Sequence, residues 1–375
     1  MKKKLHILFL CGWYPSKVLP TNGDFIMRHA KAVSTEHQVS VLHIISDSNI
    51  SKTEIEIEKK VNFNTYIAFV KFSKNPLIKY YRFWMAYLNL LSKIGHFDIV
   101  HLHKLYPFGL FALHLKKRKQ IPYIISEHWT GYHIKRKKRQ LLSLTHWLSK
   151  KITTNADSVC PVSEDLRNSM QQLGLKGKYL IVPNVVDTNV FKPTPKIIEN
   201  FTITHVSSLL DRHKNISGML RVAKQLESEV AVFTWNFIGG KRDEFVDLIK
   251  ELNFTKAKIH FIDHTTHQKI SDYLNASHIF VLFSNYENLP CVILEAFSCG
   301  IPVISTNVGG IKEHFPDGFG CLIDKKNEQQ LLEKIVELYE NPINQKSKMH
   351  QYAIENFGEE RICKSFTELY MRALN

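Results

Sequence analysis

The chain reads as short apolar runs separated by loops and amphipathic stretches. In the first half the runs are Leu5–Leu10, Gln38–Ile44, Ile67–Phe72, Ile99–Leu102, Tyr123–Ser126 and Ser158–Val162. In the second half they are Ile203–Ser207, Ala231–Ile238, Lys258–Phe261, Ile279–Phe283, Val303–Ser305 and Cys321–Ile323. Runs this short and this continuously apolar, alternating with helical patterns, predict parallel strands buried on both faces. Among the helices, Phe25–Val33 follows Asp24 as a candidate N-cap, and Leu77–Ile94 stops at Gly95. The aromatic residues of the second helix, Tyr80, Tyr81, Phe83, Trp84 and Tyr87, are expected mainly in the core.

A chain of 375 residues exceeds one simple core, and two domains are expected. Pro183, Pro193 and Pro195 cluster with Asn184, Asp187 and Asn189, so the boundary is placed near 183–200. Open α/β sheets bind ligands at the carboxyl ends of their strands, and a cleft between two such domains is the expected ligand site. No apolar run reaches the roughly 18–20 residues that span a bilayer. The basic start followed by Leu5–Cys11 imitates an export signal. It contains His6, however, and runs into Gly12-Trp13-Tyr14-Pro15 with no small-residue cleavage site. It is therefore read as a buried first strand, and a cytoplasmic location is expected.

Charge sharpens the division. Residues 1–200 hold 31 Lys and Arg against 13 Asp and Glu, whereas residues 201–375 hold 19 against 22. A basic half attracts phosphates, nucleic acid or an anionic membrane. The run Lys135–Arg139, followed by Leu141, Leu142, Leu144, Trp147 and Leu148, is the pattern of a helix resting on an anionic surface. No zinc-finger spacing or RNA-binding aromatic motif accompanies it, so nucleic acid is not an expected partner. The six cysteines form no C-x-x-C pair and fit buried, reduced thiols.

The segment Ser284–Gly300, SNYENLPCVILEAFSCG, carries the most chemistry. It follows a buried strand, Pro290 suits a helix start, and Gly300 with Pro302 ends the helix. Glu287 then lies on the entering loop and Glu295 inside the helix, a little over two turns on. The amides near Asn288, Leu289 and Cys291 form a helix N-terminus, a ready anion site. Glu295 among Val292, Ile293, Leu294, Ala296 and Phe297 needs a partner if buried; its alternative is a surface position on an amphipathic helix.

Glu287 and Glu295, within ENLPCVILEAFSCGIPVISTNVGGIKE, resemble the signature of glycosyltransferase family 4, a group of retaining enzymes. Weaker similarities lie in order elsewhere, at Pro20–Phe25 with His29-Ala30, Ser126-Glu127-His128, Val182–Asp187, and Val206–Leu209 with Lys214-Asn215. The resemblance implies the GT-B fold, two Rossmann-like doubly wound domains facing each other across a cleft. It implies an acceptor-binding domain over 1–190, a nucleotide-sugar domain over 191–355, and a helix over 356–375 returning to the first. It assigns Glu295 to the ribose, Glu287 to the transferred sugar, and the amides of Asn288 and Leu289 to sugar and phosphates. Lys214 is assigned to the diphosphate, His128 to the donor sugar, and Gly23 to close passage of the first loop.

Many members carry Gly-Arg where this chain has Ser207-Ser208; Arg212 is the nearby candidate to replace that charge. A nucleoside diphosphate leaving group needs a metal, cations or a helix N-terminus. No Asp-x-Asp triplet is present, so no metal or other cofactor is expected beside the nucleotide sugar. The expected partners are a UDP- or GDP-sugar and a glycan or lipid-linked acceptor, with anionic membrane contact through the basic half. The alternatives are a non-catalytic nucleotide-sugar or membrane-binding module and a nucleotide-sugar epimerase of the same fold. Gly239-Gly240 is expected to be a turn. His101 and His103 are expected as core histidines. His260, His264 and His267 with Asp263 fit no trusted zinc spacing.

Overall fold

The computed structural model describes residues 4–61, 63–133, 143–196 and 199–375. The run Lys135–Arg139 lies outside the described residues. The chain divides into two compact units. One takes the residues up to Val185 together with Glu359–Asn375, and the other takes Val186–Gly358.

The first unit runs β1 (His6–Cys11), α1 (Asp24–Val33), β2 (Gln38–Asp47), β3 (Glu54–Lys59), β4 (Asn64–Lys71), α2 (Pro76–Ile94), β5 (Ile99–His103), α3 (Gly109–Lys119), β6 (Tyr123–Glu127), α4 (Leu144–Asn155), β7 (Ser158–Pro161) and α5 (Glu164–Gln172). Its seven strands lie in the order β3-β4-β2-β1-β5-β6-β7, all parallel except the β3–β4 pair. The second unit runs β8 (Phe201–Val206), α6 (Asp211–Lys214), α7 (Ile216–Leu226), β9 (Phe233–Ile238), α8 (Val246–Leu252), β10 (Ala257–Ile262), α9 (His267–Asn275), β11 (Ile279–Leu282), α10 (Cys291–Ser298), β12 (Val303–Thr306), β13 (Gly320–Ile323), α11 (Glu328–Glu340) and α12 (Lys346–Phe357). Its six parallel strands lie in the order β10-β9-β8-β11-β12-β13. Each unit is a doubly wound α/β sheet, and no helix among the described residues is long and apolar enough to cross a membrane.

β1 shows why the pattern folds this way. It lies between β2 and β5, and Ile7–Cys11 are fully buried, so both faces of the strand are covered. The export-like start is thus the middle of a sheet. β3, EIEIEK, is missing from the sequence reading because every second residue is charged. It is an antiparallel edge strand, where charge is tolerated and discourages further pairing. Asp24 is the first residue of α1 rather than its cap. Gly23 occupies that position, and Asp24 instead accepts from Arg28 Nε at 2.8 Å. α2 is not mainly core. Phe83 and Tyr87 are buried, but Tyr80 and Tyr81 face solvent.

The last helix, α13 (Glu359–Leu374), belongs to the first unit and lies against α1. Ile362, Phe366, Leu369 and Tyr370 enter the same core as β1 and α1. Polar contacts fix its register: Thr367 Oγ1 meets His37 Nε2 at 2.9 Å, and Tyr370 Oη meets His101 Nδ1 at 2.7 Å. His101 Nε2 is satisfied in turn by Ser126 Oγ at 2.7 Å, as expected of a core histidine. Tyr370→Ala should therefore destabilise the first unit by about 3–5 kcal/mol, read as a lower midpoint for that unit in urea unfolding.

Candidate active site

In the second unit, chain order reverses between β8 and its neighbour β11, which places the topological switch point there. The loop after β8 leads into α6, which carries Arg212 and Lys214. The loop after β11 carries Glu287, Asn288 and Leu289 into α10. Asn285 ties the two loops: its N donates to His213 O at 2.8 Å, and its Nδ2 to Arg212 O at 3.1 Å. The Lys214 ammonium forms an ion pair with Glu287 Oε1, and both side chains are largely shielded from water. Asn288 and Leu289 are buried beside them.

Arg212 does not join this pair. Residues two apart on a helical turn point to opposite sides. Arg212 is exposed, with its guanidinium 3.2 Å from His213 Nε2. Ser208 is exposed, and the Ser207 hydroxyl is engaged by His205 Nε2 at 2.7 Å and Leu209 N at 3.0 Å. Lys214 is thus the shielded cation that this loop brings to Glu287.

The loop conformations depend on glycines whose role the motif pattern did not reveal. Gly309 has φ +60°, and a Cβ there would lie 2.0 Å from Glu287 O; Gly310 N donates to Asn288 O at 2.9 Å. Thr306 Oγ1 holds Ser284 O at 2.7 Å. The end of β12 therefore clamps the Glu287 loop from below. Gly239, at φ +110°, leaves no room for a Cβ beside Ser207 O, 2.1 Å away. It is more than a free turn, because it lets the loops after β8 and β9 touch. α10 begins at Cys291 with Pro290 as N-cap, one residue later than the sequence suggests, and Gly300 at φ +73° follows its end. Glu295 is only 1% exposed, which removes the surface alternative.

In the first unit, the carboxyl ends of β1, β5 and β6 gather three histidines from distant sequence positions. His29 on α1, His103 at the end of β5 and His128 after β6 offer ring nitrogens within 4.8 Å of one another. This group, not His260–His267, is the one that geometry would allow to hold a metal ion among the described residues. Burial holds all three well below the usual histidine range, with His29 at about 4; repulsion from neighbouring rings adds to the effect at His103 and His128, and the Arg28 charge adds at His29. They are neutral imidazoles at pH 7. The Asn184 side chain lies beside the His128 ring and the Pro183 backbone beside His29, so the 182–184 segment closes this cluster.

Glu127, given no role of its own in the Ser126-Glu127-His128 similarity, is fully buried. It accepts from the amides of Leu105 (2.9 Å), His128 (3.1 Å) and Trp129 (3.3 Å) and from Tyr132 Oη (3.0 Å). It fixes the backbone that presents His128. Gly23 has φ +78°, and a Cβ would lie 2.6 Å from the Trp13 carbonyl carbon. Chain packing alone therefore requires glycine there.

Comparison with known proteins completes the identification. Residues 187–356 match the group 1 glycosyl transferases and residues 25–190 match glycosyltransferase family 4. The chain belongs to this family of glycosyltransferases and is a transferase enzyme. It is 26% identical over 275 residues to an uncharacterized glycosyltransferase of Methanocaldococcus jannaschii, covering 71% of this chain and 74% of that one. Its fold is similar to sucrose-phosphate synthase from Thermosynechococcus elongatus, with TM-score 0.78, 18% identity and 99% of both chains covered. It is also similar to Anabaena HepE, solved in complex with UDP-glucose, with TM-score 0.70, 17% identity and 97% and 98% coverage. The GT-B expectation holds.

Two outcomes follow. Gly309→Ala should push the Glu287 loop out of place and lower sugar transfer on the order of a hundredfold, with circular dichroism unchanged. Stability should also fall as pH drops from 6.5 toward 4. Buried His43 and His29 stay neutral in the fold to about 4, while the unfolded chain takes up protons from 6.5 downward. Each such histidine costs about 1.4 kcal/mol per pH unit in that window. Thermal unfolding of His43→Gln across this range should show a shallower pH slope than wild type.

Proposed function

We propose that the chain transfers a sugar from a UDP- or GDP-sugar to an acceptor hydroxyl, with retention at the anomeric carbon and without a metal ion. The reading rests on the Lys214–Glu287 pair at the switch point, beside the start of α10. A departing diphosphate gains negative charge as the glycosidic bond breaks. Lys214 and the α10 amides are the groups that would stabilise it. Glu287 would orient the sugar hydroxyls, Glu295 would hold the ribose, and Asn288 and Leu289 would offer backbone amides to sugar and phosphates. Arg212 would turn toward the phosphates to supply the charge that Ser208 lacks. His128 is the proposed contribution of the first unit to sugar handling, as a neutral imidazole; Gly23 would shape the loop near the phosphates. The diphosphate would take the acceptor's proton on the face it leaves, so Glu287 forms no covalent intermediate. The HepE complex with UDP-glucose supports a uridine nucleotide as the first donor to try.

The acceptor is proposed to be a bacterial cell-surface glycan or a lipid-linked saccharide. The enzyme would act in the cytoplasm and contact the inner face of the membrane through its basic first unit. The exposed Ser208 favours one competing reading, a non-catalytic nucleotide-sugar module.

A thermal-shift panel with UDP, GDP, ADP and their sugars, with and without EDTA, tests the donor site. A ligand at 100 times its Kd adds about 2.7 kcal/mol of stability. A shift for one nucleotide, unchanged by EDTA, is expected; no shift with any nucleotide would overturn the donor assignment. Glu287→Ala should lower turnover by orders of magnitude while the fold persists. Wild-type transfer by that variant would remove Glu287 from the site.

A further inference from the structure

α2 is apolar on both sides. Phe83, Ala86, Tyr87, Leu90 and Ile94 face the core. Leu77, Tyr81, Met85 and Leu88, at i, i+4, i+8 and i+11, form a second stripe on the opposite side. They are 78%, 63%, 49% and 40% exposed. A helix with apolar residues all round is normally buried, and a continuous exposed apolar stripe marks a docking surface.

The charge around the stripe selects its occupant. α2 contains no acidic residue, and Lys74, Lys79, Arg82 and Lys93 lie on it or at its entrance. From Lys71 to Lys119 there are ten Lys or Arg and a single acid, Asp98. The neighbouring helix α3 ends in Lys116–Lys119, of which Lys116 pairs with Asp157 at 2.9 Å, and meets α2 through Phe111, whose ring stacks on Tyr87 at 4.2 Å. Behind α3, α4 exposes Leu144 and Trp147, with Lys151 Nζ 4.6 Å over the Trp147 ring. Apolar residues on an exposed helix face, aromatic rings at its edge and a large excess of cations over anions match the interface of an anionic bilayer. An acidic protein surface would answer the lysines but not four bare apolar side chains.

We propose that the outer stripe of α2 inserts into the headgroup region of an anionic membrane and anchors the first unit there. This deepens the reading of a lipid-linked acceptor and rests on it for its purpose. A surface-bound enzyme meets such an acceptor in two dimensions. It places the anchor on α2, with the Lys135–Arg139 run at most an accessory.

Flotation of the full chain with vesicles tests it, using phosphatidylcholine alone and phosphatidylcholine with phosphatidylglycerol. The wild type is expected to float with the anionic vesicles, less so in high salt, and not with the neutral ones. Leu77→Gln, Tyr81→Gln, Met85→Gln and Leu88→Gln combined should weaken that binding about tenfold or more. These positions are exposed and glutamine is a good helix former, so circular dichroism and nucleotide thermal shifts should match wild type. No binding to anionic vesicles, or undiminished binding by the variant, overturns the proposal. So does a concentration-dependent dimer, seen by sedimentation, that the variant abolishes. The nucleotide shift is read without vesicles, so failure of the donor reading and failure of the membrane anchor are separately visible.

Discussion

The candidate donor site depends on one ion pair, Lys214 with Glu287. A carboxylate shielded from water is unfavourable without a partner, and so is an ammonium group. Each makes the other tolerable at the switch point. The pair also sets a condition for any anionic ligand. A diphosphate would share the lysine, and the glutamate would then need other donors, such as sugar hydroxyls. Binding of phosphate and binding of sugar would thereby be coupled through a single contact.

Everything around that contact serves to hold two loops still. Parallel strands buried on both faces leave no space for charged groups, so chemistry is pushed to their carboxyl ends. Asn285 joins the loops laterally, its backbone amide bonding to His213 O and its side-chain amide to Arg212 O. Gly309 and Gly239 allow main chain to approach main chain where any side chain would intervene. The first unit uses a different device. A buried carboxylate, Glu127, gathers three amides and a tyrosine hydroxyl, and the adjoining histidine cluster is kept neutral by burial.

Much of this was legible in the sequence. Short apolar runs marked the parallel strands, and the segment from Glu287 to Glu295 marked the loop and helix of the site. Other features depended on distance in space. Nothing local to residues 29, 103 or 128 signals that β1, β5 and β6 bring them together. The charged alternation of Glu54–Lys59 obscured an edge strand, because charge is a liability only inside a sheet. Composition counted the apolar residues of α2 correctly but could not tell which of its sides would meet the core.

The chain path has a consequence for biogenesis. Phe366 and Tyr370 complete the core that begins with Ile7 and Phe9, so the first unit is assembled from segments on either side of the second. The second unit is an insertion within it. During synthesis the first sheet is made before the second unit but lacks its closing helix until Glu359–Leu374 have followed. The second unit, contiguous from Val186 to Gly358, has all its strands available earlier. The sheet made before the second unit is therefore completed only after it, and its apolar surface stays open to chaperones or to aggregation in the interval.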